Sequence, residues 1–176
     1  FKTISPSMDI LISSNLERLL YHITNDATKV KSYMEKLQST GCYQVDEATF
    51  KAIQETFSAG YLDDSATKKC IHDIYQQDNY VADTHTAVAW QVAQDYQKST
   101  QDKTPMVVLS TASPYKFSDS VLSALGEDIS DKDEFALLDK LSTLNKDKIP
   151  QGLAQLQSLP ILHNNLCAKE DMIKAV

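Results

Sequence analysis

Apolar residues recur three and four positions apart along most of the chain, which is the spacing of one buried helix face. Seven stretches show this pattern: Leu16–Ile23, Val30–Leu37, Phe50–Phe57, Cys70–Ile74, Ala87–Ala93, Val121–Leu125 and Phe135–Leu141. A shorter helical stretch covers Lys169 to Ala175. The pattern predicts that helices make up most of the structure.

Short polar residues mark where most of these helices begin, because their side chains accept hydrogen bonds from the first free amides. In chain order, the predicted caps are Ser13, Ser14 or Asn15, then Asp46, then Asp63, Asp64 or Ser65, then Asp83 or Thr84, then Ser118, and finally Asp131 paired with Glu134. Gly41 and Gly126 follow the second and sixth stretches and predict their ends.

One stretch near the middle departs from helical spacing. Met106–Leu109 is a continuous apolar run between Pro105 and the small residues that begin at Ser110. Such a run is typical of a strand buried on both faces, as in a parallel sheet flanked by helices. We therefore predict a strand from Met106 to about Ser110 in a helix-rich α/β fold with few strands. Small hydroxyl residues after such a strand lie where α/β proteins bind ligands, although a turn before a helix gives the same pattern.

Charge and cysteine usage narrow the class of protein. The net charge is -7 and the pI is near 5.0, and no basic stripe offsets this, so we expect no nucleic-acid partner. No apolar run is long enough to cross a bilayer, so we expect no membrane partner. Cys42, Cys70 and Cys167 lie far apart, which argues against a disulfide framework or a structural zinc site. These features predict a reduced, cytoplasmic protein.

The glycine content and the first residue suggest part of a longer polypeptide. The chain begins at Phe1 without an initiator Met, and it has 4 glycines and no Gly-rich phosphate loop. That is few for a complete α/β enzyme. No internal repeat or linker interrupts residues 1–176, so we predict a single unit.

Few residues suggest chemistry by themselves. The four histidines are scattered and form no metal-binding pattern, so no metal site is predicted. His85, in the first turn of the fifth helix, either faces a ligand cleft or bonds a neighbouring loop. Lys116 follows a Ser-Pro turn and is either a Schiff-base lysine or, as we favour, a solvated lysine at a helix entrance. The residues alone predict a cleft near Thr111.

Three separated segments together resemble the threonine synthase family of pyridoxal-phosphate enzymes. Ser5–Arg18 is similar to the family's Ser-x-x-Met-Asp followed by Ser-Asn-x-x-Arg. Asp83–Ala89 is similar to its acidic-x-His-x-Ala-Val-Ala segment, and Ser110–Phe117 to its Thr-Ala-x-Pro-x-Lys-Phe. Leu159–Leu162 with Asn165 resembles its tail. All four occur in family order across nearly the whole chain.

The resemblance implies an activity, a cofactor and a set of site residues. The family converts O-phospho-L-homoserine and water to L-threonine and phosphate with pyridoxal phosphate. The Thr111 hydroxyl is expected to face the pyridine nitrogen, and Asp83, His85 and Lys116 are expected to line the active site. Several members carry His where this chain has Ser113.

In this family the Schiff-base lysine and the phosphate loop lie upstream. The resemblance therefore implies a C-terminal fragment of a three-layer α/β pyridoxal-phosphate enzyme, inactive alone, with no catalytic residue of its own. Two alternatives stay open. One is another enzyme of the same fold, such as a serine or threonine dehydratase. The segment from Met8 to Arg18 argues against this alternative. The other is a non-enzymatic helical interaction module.

Overall fold

The computed structural model describes residues 2–130, 133–162 and 164–175, and the regular structure in these residues is entirely helical. The α-helices are α1 (Ser14–Thr24), α2 (Ala27–Thr40), α3 (Glu47–Gln54), α4 (Asp64–Asp78), α5 (Thr84–Thr100), α6 (Ser118–Ala124), α7 (Glu134–Leu144), α8 (Gln151–Ala154) and α9 (Met172–Ala175). Short 3-10 turns cover Pro6–Met8, Pro114–Phe117, Leu156–Ser158 and Lys169–Asp171. The prediction of a helix-rich chain is confirmed.

Four predicted caps are confirmed, because each accepts a hydrogen bond from a first-turn amide. Ser13 accepts from Leu16 at 3.3 Å, Asp46 from Thr49 at 3.0 Å, Asp63 from Ala66 at 2.7 Å and Asp83 from His85 at 2.8 Å. Gly41 and Gly126 have φ of 77° and 79°, the left-handed conformation that a glycine adopts without strain where a helix ends.

Of the two remaining predicted caps, one lies outside the described residues and the other is wrong. Asp131 lies outside them, and Asp133 caps α7 by accepting from the amides of Phe135 and Ala136, each at 2.9 Å. Ser118 is not a cap, because the 3-10 turn before it runs straight into α6. Its backbone is already helical (φ -56°, ψ -39°), and its hydroxyl donates to the Tyr115 carbonyl at 3.0 Å.

The helices pack around two groups of buried side chains. The smaller group, from α1 and α2, is Leu20, Val30 and Tyr33, with Ile53 of α3 packed against it. The larger group joins α4, α5, α6 and α7 and includes Ile71, Ala87, Val121, Leu122 and Leu141. None of the described helices is long and apolar enough to cross a membrane.

The prediction of a buried strand at Met106–Ser110 is wrong for this chain taken alone. The segment has no regular secondary structure, and Val107 and Leu109 are 81% and 71% exposed. A strand needs a neighbouring strand to pair its N–H and C=O groups. No other strand is present in the described residues, so the apolar run lies unpaired at the surface.

Candidate functional site

A cavity of about 1760 Å³ lies where four separate parts of the chain meet. Its walls come from the segment before α1, the loop between α3 and α4, one face of α5, and the exposed segment that precedes the second 3-10 turn. The lining residues include Ser7, Asp9, Gly60, His85, Val92 and Thr111. Three of the four segments that carry the resemblance thus contribute residues to one cavity.

The segment before α1 is closed on itself and fastened to the rest of the fold. Asp9 accepts from the Thr3 amide at 2.7 Å and from the Thr3 hydroxyl at 2.9 Å. These hydrogen bonds favour the ionised form and so hold the pKa of the Asp9 carboxyl below its usual value. The bond from the Thr3 amide has the largest effect. The Ile4 amide donates to Asp64 at the start of α4, at 3.1 Å. The segment is therefore an ordered wall of the cavity.

His85 joins this wall to α5. The Ser7 amide donates to His85 Nε2 at 3.1 Å, although the two residues are 78 positions apart. The ring is 9% exposed and packs on Phe117 with 4.8 Å between ring centroids. Because Nε2 accepts a backbone N–H, the imidazole is neutral and carries its proton on Nδ1. His85 therefore does both things that the sequence offered as alternatives, since it lines the cavity and hydrogen bonds to a neighbouring loop.

Asp83 lies beneath the cavity rather than in its wall. Its side chain is fully buried, and its Oδ1 accepts from the His85 amide at 2.8 Å and the Thr86 amide at 3.3 Å. The same oxygen lies 3.2 Å from His85 Nδ1, while Oδ2 accepts from the Thr86 hydroxyl. These are the partners that a buried carboxylate needs.

The Thr86 hydroxyl also reaches the segment that contains Thr111. Thr86 Oγ1 lies 3.2 Å from Ser110 Oγ, and Ser110 Oγ lies 3.2 Å from the Tyr80 hydroxyl. Thr111 follows directly, lines the cavity and is exposed. No described residue hydrogen bonds its hydroxyl, so that hydroxyl is available to a ligand.

Lys116 and Ser113 lie outside the cavity. Lys116 is exposed on the 3-10 turn Pro114–Phe117, which fits a solvated lysine. Ser113 caps that turn by accepting from the Tyr115 amide at 3.4 Å. Of the four residues expected to bind or line the site, Thr111 and His85 line the cavity, whereas Asp83 and Lys116 do not.

Sequence reasoning assigned no role to Ser7, Thr86 or Ser110. A local signal existed for Thr86, because a hydroxyl three residues after an Asp cap is well placed to bond back to that cap. No comparable signal marks the pairing of Ser7 with His85, since it depends on how distant segments pack.

The groups around the cavity define what it can bind. A free hydroxyl at Thr111 and a neutral, buried imidazole at His85 lie among apolar walls that include Val88, Val92 and Met106. Apolar walls with a few polar groups are typical of a site that binds a small molecule. Among the residues described, no three His, Cys, Asp or Glu side chains converge as a metal site requires.

Comparison with known proteins gives one family. The family model described as "Threonine synthase, C-terminal" matches residues 86–176, just over half of the chain. Threonine synthase of Saccharomyces cerevisiae is 33% identical, over 89% of this chain and 31% of its own length. Threonine synthase-like 1 of Homo sapiens is 36% identical, over 94% of this chain and 20% of its own length.

Two solved structures agree with this match. The crystal structure of PLP-bound threonine synthase from Brucella melitensis superposes with a TM-score of 0.70 at 34% identity, covering 90% of this chain and 30% of that one. The yeast threonine synthase structure gives 0.71 at 30% identity, covering 91% and 32%. The chain spans about a fifth to a third of the length of these relatives. From its cavity-lining motifs, its match to the C-terminal family model and its likeness to these two structures, we conclude that the chain belongs to the threonine synthase family, in the C-terminal region of that family.

Proposed function

We propose that the chain is the C-terminal part of a pyridoxal-phosphate-dependent threonine synthase, which converts O-phospho-L-homoserine and water to L-threonine and phosphate. The observation that carries the proposal is the meeting of three sequence-distant segments, each similar to a family motif, around one cavity with a free hydroxyl at Thr111. A relative of similar sequence has been solved with PLP bound.

Thr111 is the residue of this chain that we assign to the cofactor. Pyridoxal phosphate supplies the electron sink of the reaction when it is bound. The Thr111 hydroxyl donates to the pyridine nitrogen. A neutral hydroxyl does not keep that nitrogen protonated as a carboxylate does, so proton transfers depend more on the catalytic lysine, which we place upstream of this chain.

The complete enzyme is proposed to have the three-layer α/β architecture, with residues 1–176 as one unit of its catalytic domain. The support lies in the apolar surface that the chain leaves uncovered. Met8, Leu11, Tyr61, Val107 and Leu109 are 71–89% exposed and line the same cavity. Exposed apolar surface of this extent is typical of an interface. The sheet layer is supplied by the upstream part, against which the segment 106–110 pairs.

A cytoplasmic location belongs to the same proposal. Cys42, Cys70 and Cys167 are free thiols, which suits a reducing compartment. The partner of the site is the small-molecule substrate.

The deciding experiment uses the complete polypeptide that contains this chain, purified with pyridoxal phosphate. Phosphate and threonine are measured after addition of O-phospho-L-homoserine, and ammonia and 2-oxo acid after addition of serine or threonine. We expect equal amounts of phosphate and threonine. Ammonia release as the main activity would instead indicate a dehydratase, and no turnover with any substrate would indicate an interaction module.

A further inference from the structure

Asp83 contacts more groups than a helix cap requires, and the extra contacts lead to both walls of the cavity. We propose that Asp83 is a positioning residue that holds Ser7 through His85 and holds Ser110, and with it Thr111, through Thr86. The inference deepens the proposed function and rests on it, because it assigns a role to these residues in that same site.

The first branch runs from Asp83 through the imidazole to the segment before α1. Nδ1 of His85 lies 3.2 Å from Asp83 Oδ1 and 3.3 Å from the Thr84 hydroxyl. The carboxylate accepts the Nδ1 proton and so leaves Nε2 bare to accept from Ser7. In the other tautomer an N–H would face the Ser7 N–H, which is repulsive. Asp83 therefore selects the tautomer that keeps Ser7 in the cavity wall.

The second branch runs through Thr86 to the residue before Thr111. Oδ2 of Asp83 accepts from the Thr86 hydroxyl, and this fixes the side-chain rotamer of Thr86. In that rotamer Oγ1 lies 3.2 Å from Ser110 Oγ. In the described chain, segment 106–112 has no helix or strand of its own to order it. The contact between Ser110 and Thr86 therefore ties Thr111 to the rigid first turn of α5.

The second branch uses an oxygen that the cap does not, so a substitution can separate the two. Oδ1 faces both the first-turn amides and His85 Nδ1, whereas Oδ2 accepts from the Thr86 hydroxyl. A cap needs only one acceptor, and Ser caps about as well as Asp. Asp83→Ser thus keeps an acceptor for the first-turn amides but removes the acceptor of the Thr86 hydroxyl. Thr86→Val removes only the second branch, and Thr86→Ser keeps it. His85→Leu removes only the first branch, and His85→Gln supplies an oxygen near the position of Nε2.

The test applies two measurements to the complete polypeptide, free of substrate: amide hydrogen exchange and the affinity for pyridoxal phosphate. Losing one hydrogen bond is expected to change either quantity roughly 5- to 10-fold. We expect faster exchange at Ser7 in His85→Leu, and weaker binding of pyridoxal phosphate in Thr86→Val and in Asp83→Ser. Thr86→Ser and His85→Gln are expected to stay close to the parent protein.

Three results would overturn the inference. They are an unchanged affinity for pyridoxal phosphate in Asp83→Ser, equal behaviour of Thr86→Val and Thr86→Ser, and exchange accelerated evenly over all helices, which would indicate global destabilisation. If Asp83→Ser does not fold, the comparison of Thr86→Val with Thr86→Ser and of His85→Leu with His85→Gln decides whether the inference holds. The exchange pattern does not depend on turnover, so a polypeptide that makes no threonine contradicts the proposed function without altering this result.

Discussion

Gly60 lies so close to Val92 that a Cβ built on the glycine would meet both Val92 methyl carbons at 2.9 Å. Val92 is β-branched and stiff, so it cannot rotate away at low cost. We expect Gly60→Ala to lower the free energy of unfolding by about 1–3 kcal/mol, the usual cost of overpacking. Urea denaturation measures this.

A double-mutant cycle tests the cause of that loss. Adding Val92→Ala removes the two methyl groups, so the double variant should lose less than the sum of the single variants. Gly152→Ala is the matched control, because a Cβ at Gly152 meets nothing within 4 Å. Additive losses at Gly60 and Val92, or an equal loss at Gly152, would contradict a steric origin.

The three thiols should differ in reactivity in the folded chain. Burial raises the pKa of the Cys70 thiol to about 11, and its Sγ lies 3.3 Å from the Ala87 carbonyl. At pH 8 only about one Cys70 thiol in a thousand is ionised, and the thiolate is the reactive form. Cys42 and Cys167 are exposed. We expect a thiol reagent to label these two quickly and Cys70 only after unfolding, as peptide mapping can establish. Early labelling of Cys70 would show that α4 and α5 open readily.

Local signals in the sequence were sufficient to predict most of the helices, although not α8 (Gln151–Ala154). Asp46, Asp63 and Asp83 each supply an acceptor within three residues, so their role as caps follows from neighbouring residues alone. The same local logic failed at Ser118, because the turn before it is helical. It also failed on α3, where Phe50 is 46% exposed and Thr49 is buried against Asp46. Burial of a helix face depends on what packs there.

Features that join distant segments could not be read from the sequence. The strand predicted from Met106 to about Ser110 has the right residues but no pairing partner in the described part of the chain. The contact of Ser7 with His85 joins positions 78 residues apart. Thr111 and His85 were named from family motifs before the cavity gave them a common location. The motifs therefore indicated residues that line one cavity, but they did not indicate the hydrogen bonds between distant segments.

The isolated 176-residue chain should bind pyridoxal phosphate weakly or not at all. The catalytic lysine and the phosphate loop are assigned to the upstream part. Without that part, the apolar walls of the cavity stay uncovered. We expect no visible absorbance from lysine-bound cofactor and no adduct on Lys2 or Lys116 after borohydride reduction and peptide mapping. A stable adduct on Lys116 would refute the interpretation of that residue as a solvated lysine.

Thr111→Val in the complete enzyme tests the assignment of this residue to the cofactor. The change keeps the shape of the side chain and removes the hydrogen bond that we propose to the pyridine nitrogen. Leaving a buried polar partner without its hydrogen bond costs about 1–3 kcal/mol. That range corresponds to roughly a 5- to 150-fold loss in kcat where the transition state feels the full effect. Cofactor affinity should fall as well, while the thermal unfolding midpoint without cofactor stays unchanged.

Two matched variants decide whether the hydroxyl of Thr111 causes that loss. Thr111→Ser keeps the hydroxyl and should be far milder than Thr111→Val. Ser113→Ala lies two residues away and should have little effect, because Ser113 caps a turn and does not line the cavity. Titration with pyridoxal phosphate and steady-state kinetics measure both effects. If Thr111→Val leaves cofactor affinity and turnover unchanged, then Thr111 is only a turn residue, and the cofactor contacts this part of the cavity through other groups.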